Sequence, residues 1–233
     1  MDTPPRFNEW LINGMSWRRG MRFAMAYLCM LLLSATASGC TTFEYVPDIT
    51  PIQTRPIIDA TAEFHDIYPA PALVSGKESF GLTGPDAKQV APRVLTDQLE
   101  DELLDAFDQA GVFSKTTRFD RHPDFILTGR INALYEHYRP HIWTKIPYVE
   151  TVADFLDIKT HVSSGEADLT LFILTPSGET VGTYRGVSSF KESFNPTGEV
   201  PPGTRLNRAL SEAVQQIQDK ILRDAHLRSV ASR

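Results

Sequence analysis

The sequence predicts an α/β fold, a small mixed sheet with two main helices packed on it. Two observations carry this expectation: apolar stripes at helical spacing around residues 95–110 and 206–221, and period-two runs over residues 124–138 and 167–190 between them. In chain order, residues 57–64 supply a first strand. Residues 68–85, with Pro69, Pro71, Gly76, Gly81, Gly84 and Pro85, read as a long connection. Leu95, Leu99, Leu103, Phe107 and Ala110 then fall on one helical face, while Asp97, Glu100, Asp101, Asp105 and Asp108 take other positions. Pro92 suits the first turn of this helix and Gly111 its stop. Its acidic side reads as solvated surface, the rule for outer helix faces, or as a docking face for a basic partner.

Phe125, Leu127, Ile131, Ala133 and Tyr135 alternate with Thr128, Arg130, Asn132 and Glu136, which makes residues 124–138 a strand. A short helix is expected near residues 149–156. Ala167, Leu169, Leu171 and Ile173 alternate with Asp168, Thr170 and Phe172, and Pro176-Ser177-Gly178-Glu179 reverses the chain into residues 180–190, giving a hairpin. After a loop rich in Pro and Gly, Leu206, Leu210, Ala213, Ile217 and Ile221 form the apolar stripe of a long closing helix. The expected order is strand, helix, strand, hairpin, helix, in a single domain over residues 56–228.

Before that domain, Arg18, Arg19 and Arg22 precede an apolar run over residues 23–33, followed by small residues up to Gly39. Charged, apolar and small residues in this order read as an export signal over residues 1–39, and the run falls short of the ~20 apolar residues of a membrane span. Residues 1–14 read as an extension ahead of a signal starting at Met15. Ala37-Ser38-Gly39-Cys40 resembles the bacterial lipobox, with Ala37 where the pattern usually carries leucine. The resemblance implies cleavage before Cys40 and acylation of its thiol. An A-x-A-like cut at Ala35-Thr36-Ala37 is the alternative, and the arginine pair leaves twin-arginine export open. Thr41, rather than aspartate, implies sorting to the periplasmic face of the outer membrane, with residues 40–55, rich in Thr, Pro and Ile, as a lipidated tether.

Charge narrows the partners. The whole chain has 23 basic and 29 acidic residues, and without residues 1–39 the balance is 19 against 27, a net of −8. An acidic body lacks the basic footprint that nucleic acid demands and does not adsorb to anionic lipid by charge alone. Attachment to a membrane is therefore expected through the lipid. Both cysteines, Cys29 and Cys40, lie in the first forty residues, so the domain carries neither a disulfide nor a thiolate metal site.

Catalytic signatures are missing. The sequence has no GxxxxGK[ST], GxGxxG or GxSxG motif, and Ser177 has the setting of a turn residue, so neither an enzyme nor a cofactor is expected. His137 and His141 are four apart, a spacing zinc sites sometimes use, but Pro140 between them opposes a helix and no metal is expected. The stretch from Tyr135 to Trp143 concentrates rings and a guanidinium. Tyr135, His137, Tyr138, Arg139, His141 and Trp143 are the candidate interaction patch, because Tyr, Trp and Arg dominate binding hot spots. The competing reading puts Tyr135 and Trp143 in the core, with the others covering the sheet edge.

The lipobox, the helix end Gln109-Ala110-Gly111-Val112-Phe113, the strand Asp124-Phe125-Ile126-Leu127-Thr128-Gly129-Arg130-Ile131 and the hairpin turn Pro176-Ser177-Gly178 together resemble several groups of small periplasmic lipoproteins. These are the YajG-like proteins, the penicillin-binding-protein activators and curli-secretion-type lipoproteins, and the auxiliary lipoproteins of ABC-type lipid transporters. The likeness spans residues 57–222 and rests on packing and turn chemistry, so it implies an architecture more than an activity. What it implies of function is a non-catalytic binding or assembly accessory of an envelope complex, docking another envelope protein. A lipid- or ligand-binding auxiliary component of an ABC-type transport system is the alternative, and it would need an apolar groove. The sequence leaves the oligomeric state open.

Overall fold

The computed structural model describes residues 42–52, 58–145, 156, 158–195 and 200–231. The signal, Cys40 and almost all of the helix expected near residues 149–156 lie outside these. Residues Thr42–Arg233 form one compact unit. Among the described residues no helix is long and apolar enough to cross a membrane.

The fold is mixed α/β. Strands β1 (Phe43–Glu44) and β2 (Ile58–Pro69) are followed by helix α1 (Pro71–Val74), β3 (Phe80–Thr83), β4 (Ala87–Lys88), helix α2 (Pro92–Ala110) and β5 (Phe113–Thr117). Then come β6 (Phe125–Pro140), a 3-10 turn at Ile142–Lys145, β7 (His161–Leu174), β8 (Thr180–Phe194), α3 (Thr204–Arg223) and α4 (Ala225–Ala231). The main sheet has six strands in the order β5-β2-β6-β7-β8, with β3 also paired to β6. Strands β5, β2, β3 and β6 run parallel, whereas β6, β7 and β8 are antiparallel. β6 is long enough to hold β2 along Phe125–Ile131 and β3 along Leu134–His137 on the same edge.

Both long helices cover one face of this sheet. Phe107 of α2 meets Phe64 of β2, and α3 crosses β8 so closely that a Cβ on Gly186 would fall 1.9 Å from the Ala213 carbonyl oxygen. The helices also touch each other, since Gln218 Nε2 donates to Ala106 O at 3.2 Å. The expected apolar stripes, Leu95 to Ala110 and Leu206 to Ile221, are buried in this single core. Pro92 stands in the first turn of α2, and Gly111 ends that helix in the left-handed conformation at φ 65°. Gly178 closes the β7–β8 hairpin at φ 87°. The acidic side of α2 is partly engaged within the domain, because Arg118 pairs with Glu100 and Asp101.

Three expectations are corrected. Residues 42–52, expected as tether, pack onto the domain, which therefore begins before residue 56. β1 pairs with β4, Tyr45 and Ile49 are buried, Asn207 Nδ2 donates to Val46 O at 3.1 Å, and Thr50 N–H donates to Ser211 Oγ at 3.0 Å. The burial alternates, with Tyr45, Pro47 and Ile49 inside and Val46, Asp48 and Thr50 exposed, a short period-two pattern that a reading as tether passes over, and Ile49 alone contributes roughly 1.5–3 kcal/mol on full burial. Second, the connection over residues 68–85 contains α1 and β3, the latter formed because β6 extends past the end of β2 and offers it an edge. Third, β5 follows Gly111 directly and adds an unforeseen parallel edge strand beside β2.

Candidate functional site

With the described helices on one side, the opposite face of β6, β7 and β8 carries a polar network. Asp168 accepts from Arg185 Nε and Nη2 at 2.9 and 2.5 Å, a two-pronged guanidinium–carboxylate contact. Asn132 Nδ2 donates to Asp168 Oδ1 at 3.0 Å and to Thr170 Oγ1 at 2.9 Å, and Arg130 Nε donates to Asn132 Oδ1 at 2.9 Å. The Arg185 hydrogen bonds hold the Asp168 carboxyl below the usual range; burial opposes this, and Asn132 reinforces it. The network fixes side chains on three neighbouring strands, so this face presents a set polar surface.

Asn132 also sits where the register of β6 against β7 shifts, between Ile131 and Ala133. This bulge inverts the alternation. Before it, Phe125, Leu127 and Ile131 face the helices; after it, Leu134, Glu136 and Tyr138 do. A plain period-two reading would have put Tyr135 inside with Ile131 and Glu136 outside, and the structure does the reverse.

The predicted patch divides accordingly. Tyr135, His137 and Arg139 line up on the open face, half-buried, exposed and exposed, opposite Glu166, Ser164 and Val162 of β7. Tyr138 does not belong to the surface: it is 1% exposed, its ring packed edge-on against Phe43 and Phe194, and its hydroxyl accepts the Asp86 N–H at 3.3 Å. His141 and Trp143 lie beyond the strand, half-buried and stacked on each other with centroids 5.7 Å apart. Arg139, Pro140, His141, Ile142 and Val162 border an open depression at this end of the sheet. Cys40 lies outside the described residues.

Behind the patch, on the helix side, is a buried ionic cluster that the sequence reading missed. Glu136, fully buried, accepts from Ser163 Oγ at 2.6 Å and from the Gly203 N–H at 2.9 Å, with Arg205 Nη1 at 3.9 Å. Arg205 Nε lies 3.5 Å from Glu192, and its guanidinium sits 3.9 Å over the Phe194 ring. Burial lowers the Arg205 pKa, while Glu136 and Glu192 oppose the shift. Burial likewise raises the Tyr45 hydroxyl well above its ordinary value, with Glu136, Asp48 and Glu102 adding to the effect. The cluster joins β6, β7, β8 and the start of α3 beneath the first packed segment. One sequence signal was available: Glu136 and Arg205 each border an apolar position, Tyr138 two residues on and Leu206 next door, and two opposite charges on inward faces require each other.

No family model matches the chain, and no curated protein matches it. Among solved structures, the chain is similar to protein XCC0632 from Xanthomonas campestris, of the DUF330 family, at 14% identity and TM-score 0.43, covering 78% of this chain and 92% of that one. It is also similar to the PelC dodecamer from Paraburkholderia phytofirmans at 9% identity and TM-score 0.32, covering 72% and 93%. A candidate lipoprotein from Caulobacter crescentus shares 13% identity at TM-score 0.31, with 60% and 87% covered.

Proposed function

We propose that this chain is a lipid-anchored envelope protein, held by Cys40 at the periplasmic face of the outer membrane, which acts as a non-catalytic binding or assembly accessory of an envelope complex. The observation that carries the reading is the open sheet face. Its central strand presents Tyr135, His137 and Arg139 in a row, beside a network that fixes Asn132, Asp168 and Arg185. Such a face offers an aromatic anchor, both signs of charge and little to reorganise on docking, which favours a folded protein partner. The charged, apolar and small-residue order of residues 18–39 and the cysteine after it support a location outside the cytoplasm. A lipid carried between sheet and helices is less well supported, since Leu127, Ile131, Leu206 and Leu210 fill that space.

Affinity capture of the acylated protein from detergent-solubilised membranes tests this reading. A defined envelope protein is expected with the unaltered chain, and Tyr135→Ser combined with His137→Asp should reduce its recovery at least about tenfold, corresponding to ~1.4 kcal/mol, with the melting temperature nearly unchanged. Equal recovery with the double variant, or recovery of the chain alone at every detergent strength, would count against it.

A further inference from the structure

The tip of the sheet where Phe43 packs against Tyr138 carries a second surface with different chemistry. Ile142 is 82% exposed, and it stands between His141 and Trp143, whose rings stack on each other. Leu156 and Ile158, also exposed, lie on the return to β7, whose first residue His161 pairs with Pro140 at the end of β6. Val200 follows β8, whose last residue Phe194 pairs with His161. Ile142 and Ile158 are thereby held at one end of the sheet, because the Thr160 carbonyl, two residues after Ile158, accepts the His141 N–H at 2.9 Å. Arg139 and Lys159 add cations there, while the carboxylates of Glu136 and Glu192 are engaged by Ser163, Arg205 and Arg208.

The same end receives the chain from its anchor. Phe43 packs against Tyr138, the residue before Arg139. Cys40 is three residues upstream of Phe43, a covalent reach of about 10 Å at full extension. Because residues 42–52 are packed rather than free, a lipid on Cys40 holds this end of the domain close to the bilayer.

We infer that the tip formed by Arg139, His141, Ile142, Trp143 and Ile158 is a membrane-contact surface, with Ile142 and Trp143 entering the headgroup–acyl boundary of the leaflet that holds the lipid anchor. This rests on acylation of Cys40. The chemistry fits a lipid surface: tryptophan favours the membrane interface, an exposed aliphatic residue is buried there, and arginine meets phosphate while its stem stays in the apolar layer. An acidic body does not bind such a surface by charge. The acyl chains supply the attachment, and the tip orients the domain so that the row Tyr135, His137 and Arg139 rises from the bilayer toward the periplasm.

The chain contains its own reporter. Of its three tryptophans, Trp10 and Trp17 precede Cys40, so Trp143 is the only one in a chain beginning at Cys40. The acylated protein is placed in phosphatidylethanolamine–phosphatidylglycerol vesicles with or without brominated acyl chains. Trp143 emission should move to shorter wavelength on vesicle binding and be quenched by bromine, since interfacial residues sit about 5–10 Å into the headgroup boundary. Ile142→Asp, at an exposed position, should abolish the quenching while leaving the acylated mass, vesicle sedimentation and melting temperature unchanged. Acylated, vesicle-bound protein with unquenched Trp143 overturns the membrane-contact surface and leaves the anchor standing. An unmodified Cys40 with no vesicle binding overturns the anchor and the inference with it. A spectral shift that follows protein density and ignores bromine marks an interface between proteins and also overturns it.

Discussion

Glu136→Ala is expected to lower the stability of the domain by about 3–5 kcal/mol, the cost of removing one partner from a buried charge pair. The substitution strips the Gly203 N–H and Ser163 Oγ of their acceptor and leaves Arg205, 4% exposed, with only Glu192 nearby. At a urea slope of about 2 kcal/mol/M the unfolding midpoint should fall by roughly 2 M. Replacing Glu136 with Leu and Arg205 with Met together should recover only the part of that loss that comes from an unpaired buried Arg205, because the Gly203 N–H and Ser163 Oγ still lack their acceptor. A fall below about 1 kcal/mol for Glu136→Ala would mean that the carboxylate is solvated and the cluster is not a buried unit.

Tyr138→Ala should cost about as much, roughly 3–5 kcal/mol, as aromatic truncations in cores do. Its ring lies between Phe43 and Phe194, and a Cβ on Gly84 would come within 2.3 Å of it, so that glycine belongs to the same packing. Loss of the ring frees Phe43 and with it the first packed segment, and Tyr138→Phe should cost only about 0.5–1.5 kcal/mol for the hydroxyl contact. Urea unfolding separates these outcomes. If Tyr138→Ala left the midpoint in place and weakened partner capture, Tyr138 would belong to the docking surface after all.

The fold was legible in its long elements. Both helices bury the residues their spacing marks, Leu95 to Ala110 and Leu206 to Ile221, and the hairpin turns at Ser177-Gly178. The elements that escaped are short and made by tertiary pairing: β3 exists because β6 outruns β2, and β5 because the chain leaving Gly111 finds a free edge of β2. The site was half legible. Residue types located the patch, but its two faces depend on the bulge at Asn132, which a period-two reading passes straight through. Such a reading puts Tyr138 at the surface and Glu136 in solvent, whereas Leu134, Glu136 and Tyr138 all face inward once the parity shifts at Asn132.

Intact-mass spectrometry of the protein purified from membranes tests the account most directly. The mature chain should start at Cys40, lack residues 1–39 and carry acyl groups on its first residue. A mature terminus at another position, or Cys40 present as a free thiol, would contradict it.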